Sequence, residues 1–72
     1  MNTLEKKQVG EKLIVKGNQK DSIVKRRLLD MGITPGVTLE ITGKAPLGDP
    51  IEVIVRGYKL TLRKNEAKSI LV

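Results

Sequence analysis

Apolar residues change their spacing several times along this chain, and each change marks an element. Leu13-Ile14-Val15 is a short, mostly β-branched run between Gly10 and Gly17, which predicts a first strand. Gly17-Asn18-Gln19-Lys20 reads as a turn or loop. Val24, Leu28 and Met31 then recur at helical spacing, with Lys25, Arg26 and Arg27 between them, and predict a helix from Asp21 to Met31. Asn18 or Asp21 can cap its start by accepting a free first-turn N–H. Gly32 follows the last periodic residue, where a left-handed backbone is usual and glycine takes it without strain. Ile33 stands where such a cap seeks an apolar contact back onto the helix.

Pro35-Gly36 fits the two central positions of a type II turn, because proline presets φ and glycine supplies a positive one. Val37, Leu39 and Ile41 then alternate with Thr38, Glu40 and Thr42, which predicts a strand from Val37 to Thr42 ending at Gly43. Ala45-Pro46-Leu47-Gly48-Asp49-Pro50 is a loop by composition, with Leu47 at its tip. Ile51, Val53 and Val55 alternate with polar positions, although Ile54 makes that strand two-sided. Arg56-Gly57-Tyr58 is a tight turn, and Tyr58, Leu60 and Leu62 alternate with Lys59, Thr61 and Arg63, so these two strands form a hairpin. Asn65 can cap one helical turn through Glu66-Ala67-Lys68, and Ile70-Leu71-Val72 closes as a last short strand. Residues 1–8 are polar and read as a flexible or loosely docked N-terminal segment, with Val9 the residue to dock.

The count is five short strands, one helix between the first two and a helical turn before the last. In 72 residues this makes a single mainly β domain, and the pattern suits a small SH3-like five-stranded barrel, whose closure also protects strand edges.

Composition then narrows the chemistry. The chain has no cysteine and no histidine, so it has no disulfide, no thiolate or imidazole metal ligand and no Cys or His nucleophile or base. Ser22 and Ser69 lack a histidine to activate them. Asp30, Glu40, Asp49, Glu52 and Glu66 are scattered among cations and read as solvated surface charge. Gly32-Ile33-Thr34-Pro35-Gly36 follows a helix, whereas a phosphate loop follows a strand. No enzyme and no bound cofactor are expected. No apolar run reaches the length of a membrane span, and the N-terminus lacks a signal-peptide core, so a cytoplasmic protein is expected.

The net charge is +6, with eight basic and four acidic side chains in residues 1–36 and six and four in the remainder. Such a balance admits nucleic acid, an acidic protein surface or anionic lipid as partner. Tyr58 is the single aromatic residue, which disfavours binders that stack several bases. Small barrels also pair through open edges, so a homo-oligomer is admitted.

Three segments together carry a resemblance. They are Arg27-Leu28-Leu29-Asp30-Met31-Gly32-Ile33-Thr34-Pro35-Gly36, Ala45-Pro46-Leu47-Gly48-Asp49-Pro50-Ile51, and Leu60-Leu62-Arg63 with Glu66-Ala67 and Ile70-Val72. In this order and at these spacings they resemble the FeoA family of bacterial ferrous-iron transport accessory proteins. The resemblance implies an SH3-like fold, a stand-alone cytoplasmic role beside a FeoB-type permease with a cytosolic G-protein domain, and a family label of transition metal ion binding. Without Cys or His the chain reads as an adaptor, with Fe2+ only the ion that the transport system handles and the membrane reached only through the permease. Arg26, Met31, Ile33, Pro35, Leu47 and Lys59 are the candidate partner contacts. Gly32, Pro35, Gly36 and Gly57 are structural turn residues. The alternative is a basic nucleic-acid-binding module similar to KOW-type ribosomal domains.

Overall fold

The computed structural model describes residues 2–19 and 22–72. Six strands and two helices follow one another: β1 (Lys12–Ile14), β2 (Gly17–Asn18), α1 (Ser22–Asp30), β3 (Thr38–Lys44), β4 (Ile51–Val55), β5 (Tyr58–Leu62), α2 (Lys64–Ala67) and β6 (Ile70–Leu71). A four-stranded antiparallel sheet has the order β1-β3-β4-β5, and β2 pairs with β6 in a second, two-stranded sheet. The mainly β, SH3-like arrangement expected from the alternation is present.

The count of five strands becomes six because the first strand bends. Its β1 half pairs with β3, Lys12 opposite Glu40. Two residues later its β2 half pairs with β6, Gly17 opposite Leu71. Between them the Val15 N–H donates to the Val37 carbonyl and the Lys16 N–H to the Leu71 carbonyl. Gly17 and Asn18, expected in a loop, are therefore strand residues, because the end of the chain supplies them a partner. Asp21, the other proposed helix cap, and Lys20 lie outside the described residues.

The end of α1 has the geometry that the Gly32-Ile33 pair predicts. Gly32 has φ +91°, its N–H donates to the Leu29 carbonyl and the Ile33 N–H donates to the Leu28 carbonyl, both at 3.0 Å. That is the double bond of a Schellman cap, and Leu28 and Ile33 are both buried, as the cap's apolar contact requires. Gly36 has φ +92°, and the Val37 N–H closes the turn onto the Thr34 carbonyl. Gly32→Val is expected to cost about 1–2 kcal/mol from the left-handed backbone alone, since a Cβ there would meet nothing closer than Val55 at 4.0 Å. A urea midpoint equal to that of the parent would mean that the helix ends elsewhere.

β3 runs two residues further than the alternation suggests, through Gly43 to Lys44. The ladder slips between Ile41 opposite Val53 and Gly43 opposite Glu52, leaving Thr42 as the extra residue of a bulge. The bulge bends the strand and lets Lys44 pair with Ile51. β4 and β5 meet in a two-residue turn with φ +52° at Arg56 and +83° at Gly57, the type I′ form that suits twisted hairpins.

The core is built from inward residues of the sheet (Leu39, Ile41, Ile51, Val53, Val55 and Leu62), closed by Leu28 and Ile33 from the helix side and by Ala67 and Ile70 from the chain end. Leu4 joins them at 0% exposure. The picture of a loosely docked N-terminus thus fails at Leu4. Residues Leu4–Lys6 form a 3-10 turn, Thr3 bridges Leu71, and Lys44 Nζ donates to the carbonyls of Glu5 and Lys7 at 2.7 and 2.8 Å. Val9, proposed as the docking residue, is 54% exposed.

α2 begins two residues earlier than expected, at Lys64 instead of Glu66, and its start is held differently. The Lys64 N–H donates to Asp49 Oδ1 at 3.1 Å and the Arg63 N–H to Glu66 Oε1 at 2.9 Å. Asn65, proposed as the cap, is an exposed residue inside the helix.

Candidate functional site

α1 is nine residues long and has two apolar doublets, Ile23-Val24 and Leu28-Leu29. A helix presents one member of each doublet to its inner face and turns the other aside. Val24 and Leu28 pack toward the core. Ile23, Arg26, Arg27 and Asp30, at helical spacing, occupy the opposite face, with Lys25 and Leu29 beside them, and all six line one shallow depression. Ile23 is 81% exposed and Leu29 38%. The result is two exposed apolar side chains, Ile23 and Leu29, with Arg26 between them.

One of those cations is held in place. Arg27 Nε lies 2.9 Å from Glu66 Oε2, and the Glu66 side chain is 7% exposed against 65% for Arg27. Glu66 therefore ties α1 to α2, and the reading of it as solvated charge is corrected: its two oxygens are engaged by the Arg63 N–H and the Arg27 side chain. Asp49 is also structural, holding the start of α2 through Lys64 N–H and meeting Arg63 Nη2 at 3.3 Å. Lys25 and Arg26 have no ion pair among the described residues.

The proposed contact residues do not form one surface. Arg26 is exposed on the outer face of α1, and Pro35 is exposed at the corner that follows. Met31 is half-buried against the core. Ile33, at 3% exposure, is withdrawn from any contact surface because it is the apolar half of the Schellman cap. Leu47 is 87% exposed at the loop tip, where the Gly48 N–H turns back onto the Ala45 carbonyl at 2.7 Å. The seven residues of β3 separate the Pro35-Gly36 turn from that loop, roughly 20 Å at strand rise, so Leu47 stands at the opposite end of the sheet. Lys59 belongs with the Pro35 end: it is one residue past the Val55–Tyr58 pair, and Val55 is the nearest side chain to Gly32. It lies 3.8 Å from Glu52.

Reading the sequence passes over Ile23, Lys25 and Leu29 as contact residues. The signal of Ile23 and Leu29 is the outer member of each apolar doublet, since a helix turns only one of two successive residues toward the core.

As for metal, the chain has neither Cys nor His, and among the described residues no group of three acidic side chains could hold an ion. These residues do not fit a transition-metal site. Among the described residues no helix is long and apolar enough to cross a membrane.

Comparison with known proteins matches residues 2–72 to the FeoA domain model. A curated relative from Porphyromonas gingivalis (strain ATCC BAA-308 / W83), described as an Fe(2+) transport protein A/Fe(2+) transporter FeoB fusion protein, is 29% identical over 63 residues. That match covers 88% of this chain and 8% of the fusion, so the chain spans only a small part of its length. The NMR structure of a FeoA-like protein from Clostridium acetobutylicum is 48% identical with a TM-score of 0.88, over 96% of this chain and 80% of that one. The crystal structure of Stenotrophomonas maltophilia FeoA complexed with zinc, described as an SH3 domain protein, is 28% identical with a TM-score of 0.88, over 100% of this chain and 89% of that one.

Proposed function

The chain belongs to the FeoA domain family, and from that membership we propose that it is a non-catalytic cytoplasmic accessory protein of bacterial ferrous iron uptake, acting by contact with the G-protein domain of a FeoB-type permease. A role in ferrous iron transport goes with the family. The observation that supports a direct contact is the Porphyromonas gingivalis relative, in which a domain similar to this chain is fused to a FeoB transporter. Fusion holds two modules at high effective concentration, which favours modules that meet.

The surface best suited to the contact is the outer face of α1, continued toward Pro35. It offers Ile23 as an exposed apolar anchor, with Lys25 and Arg26 beside it to steer and orient an acidic surface. Leu47 faces elsewhere and is not needed for it. The chemistry of the chain supports an adaptor and not an iron carrier, since ferrous iron would find only scattered carboxylates.

Titration of labelled protein with the soluble G-domain of the permease tests this. Amide shifts are expected at residues 23–30. Ile23→Glu and Arg26→Glu are each expected to weaken binding about tenfold, or ~1.4 kcal/mol. Silence of both the soluble domain and the intact permease at high concentration would overturn the reading.

A further inference from the structure

We propose that the open edge of β5 is a strand-addition site for an extended acidic segment of a partner protein. β5 is the last strand of its sheet. Its register with β4 places Tyr58 opposite Val55 and Leu60 opposite Val53 across a two-residue turn. In that hairpin the main chain of Tyr58, Leu60 and Leu62 faces β4, and the alternation turns the N–H and C=O groups of Lys59 and Thr61 the other way. No hydrogen bond from any other described element reaches residues 58–62. The edge is therefore a ready template for another strand.

Its side chains say which kind. Tyr58 is 73% exposed and Leu60 half-buried, both pointing to the inner side of the sheet at its rim. Alternate apolar residues of an added strand would cover them, and main-chain bonds would supply the rest. Residues 53–65 hold Arg56, Lys59, Arg63 and Lys64 and no acid. Arg63 meets Asp49, but Lys59 remains 64% exposed despite Glu52 at 3.8 Å, and Arg56 has no ion pair among the described residues. An acidic strand complements this row. A second copy fits less well: antiparallel pairing of two copies about Lys59 sets Lys59 against Lys59, and pairing about Thr61 sets Lys59 against Arg63 of the other copy, and like charges directly opposite are destabilising.

The test needs no transporter domain, so its failure is separable from failure of the docking reading. Labelled protein is titrated with an acetylated short peptide of alternating Glu and Val, and with the Lys and Val counterpart. The expected result is that the Lys59 and Thr61 amides shift and their hydrogen exchange slows about tenfold or more, with the acidic peptide alone. Lys59→Glu is expected to weaken that binding about tenfold. Thr61→Pro is expected to abolish it while leaving the fold, because the lost N–H makes no ladder bond. Should that variant fail to fold, Lys59→Glu and the exchange rates of the parent still decide. No effect at millimolar peptide, equal binding of the two peptides, or shifts confined to α1 would overturn the proposal. So would protection of Lys59 and Thr61 that rises with protein concentration before any peptide is added.

Discussion

Replacing Leu4 with alanine is expected to destabilise the domain by about 2–4 kcal/mol, the range for truncating a fully buried leucine. A residue so near the start of the chain would ordinarily be dispensable, because termini are ordered only where something ties them down. Here the ties are specific. Leu4 has 0% exposure within the main core. On one side Thr3 bridges Leu71 and the Val72 N–H donates to the Asn2 carbonyl. On the other, the ammonium of Lys44 holds the carbonyls of Glu5 and Lys7. Truncating Leu4 opens a cavity beneath a segment that those bonds prevent from collapsing. A domain of this size has a total stability of roughly 5 kcal/mol, so the loss would move the urea midpoint to a small fraction of its parent value. Val9→Ala, at a position 54% exposed, is the control and should shift stability by no more than about 0.5 kcal/mol. If Leu4→Ala behaved like Val9→Ala, the N-terminal turn would not be part of the core.

This contrast also shows what the sequence can and cannot disclose. Gly32-Ile33 and Pro35-Gly36 are legible because their causes are local: a left-handed position, a preset φ, an apolar residue one step beyond the helix stop. The hairpin at Arg56-Gly57 is legible for the same reason, its strands alternating on either side. Leu4 is illegible because nothing within a few residues distinguishes it from a solitary surface leucine. What holds its segment against the core is Leu71, Val72 and Lys44, all far along the chain. Gly17-Asn18 becomes a strand only because Ile70-Leu71 lies alongside. Asp49 reads as a loop carboxylate until the loop is folded against the start of α2. The candidate surface divides in the same way. Arg26, Pro35 and Leu47 are exposed as their local settings suggest. Ile33 is not, because the cap that makes it conspicuous also buries it, and the distance from Pro35 to Leu47 depends on the course of β3. The β5 edge is visible only once the strand order is known.

Glu66→Ala is expected to cost about 2–3 kcal/mol, and the order of three variants should reveal why. The carboxylate is buried, accepts from the Arg63 N–H at the first turn of α2 and forms an ion pair with Arg27 Nε on α1. Removing it leaves the Arg63 donor without its partner, a penalty of about 1–3 kcal/mol, and adds a small void beside Ala67 and Ser69, both at 0% exposure. The ion pair itself contributes less. Arg27 is 65% exposed, so water screens the pair and its coupling should stay within about 1 kcal/mol. Arg27→Met should therefore be mild. Glu66→Gln should fall between the two, because its carbonyl oxygen can still accept from Arg63 while the charge is gone. A double-mutant cycle between Arg27 and Glu66 isolates the pair. A coupling larger than the loss on Glu66→Ala would place the main role of Glu66 in the ion pair. The site then inherits the consequence. Glu66 neutralises Arg27 at the edge of the depression that Ile23, Lys25 and Arg26 also line. With Glu66→Ala, the Arg27 charge beside that face loses its carboxylate partner, so on the proposed docking reading binding of the permease G-domain should become more salt-dependent even where the domain remains folded. A salt dependence equal to that of the parent would mean that Arg27 and the docking face are independent.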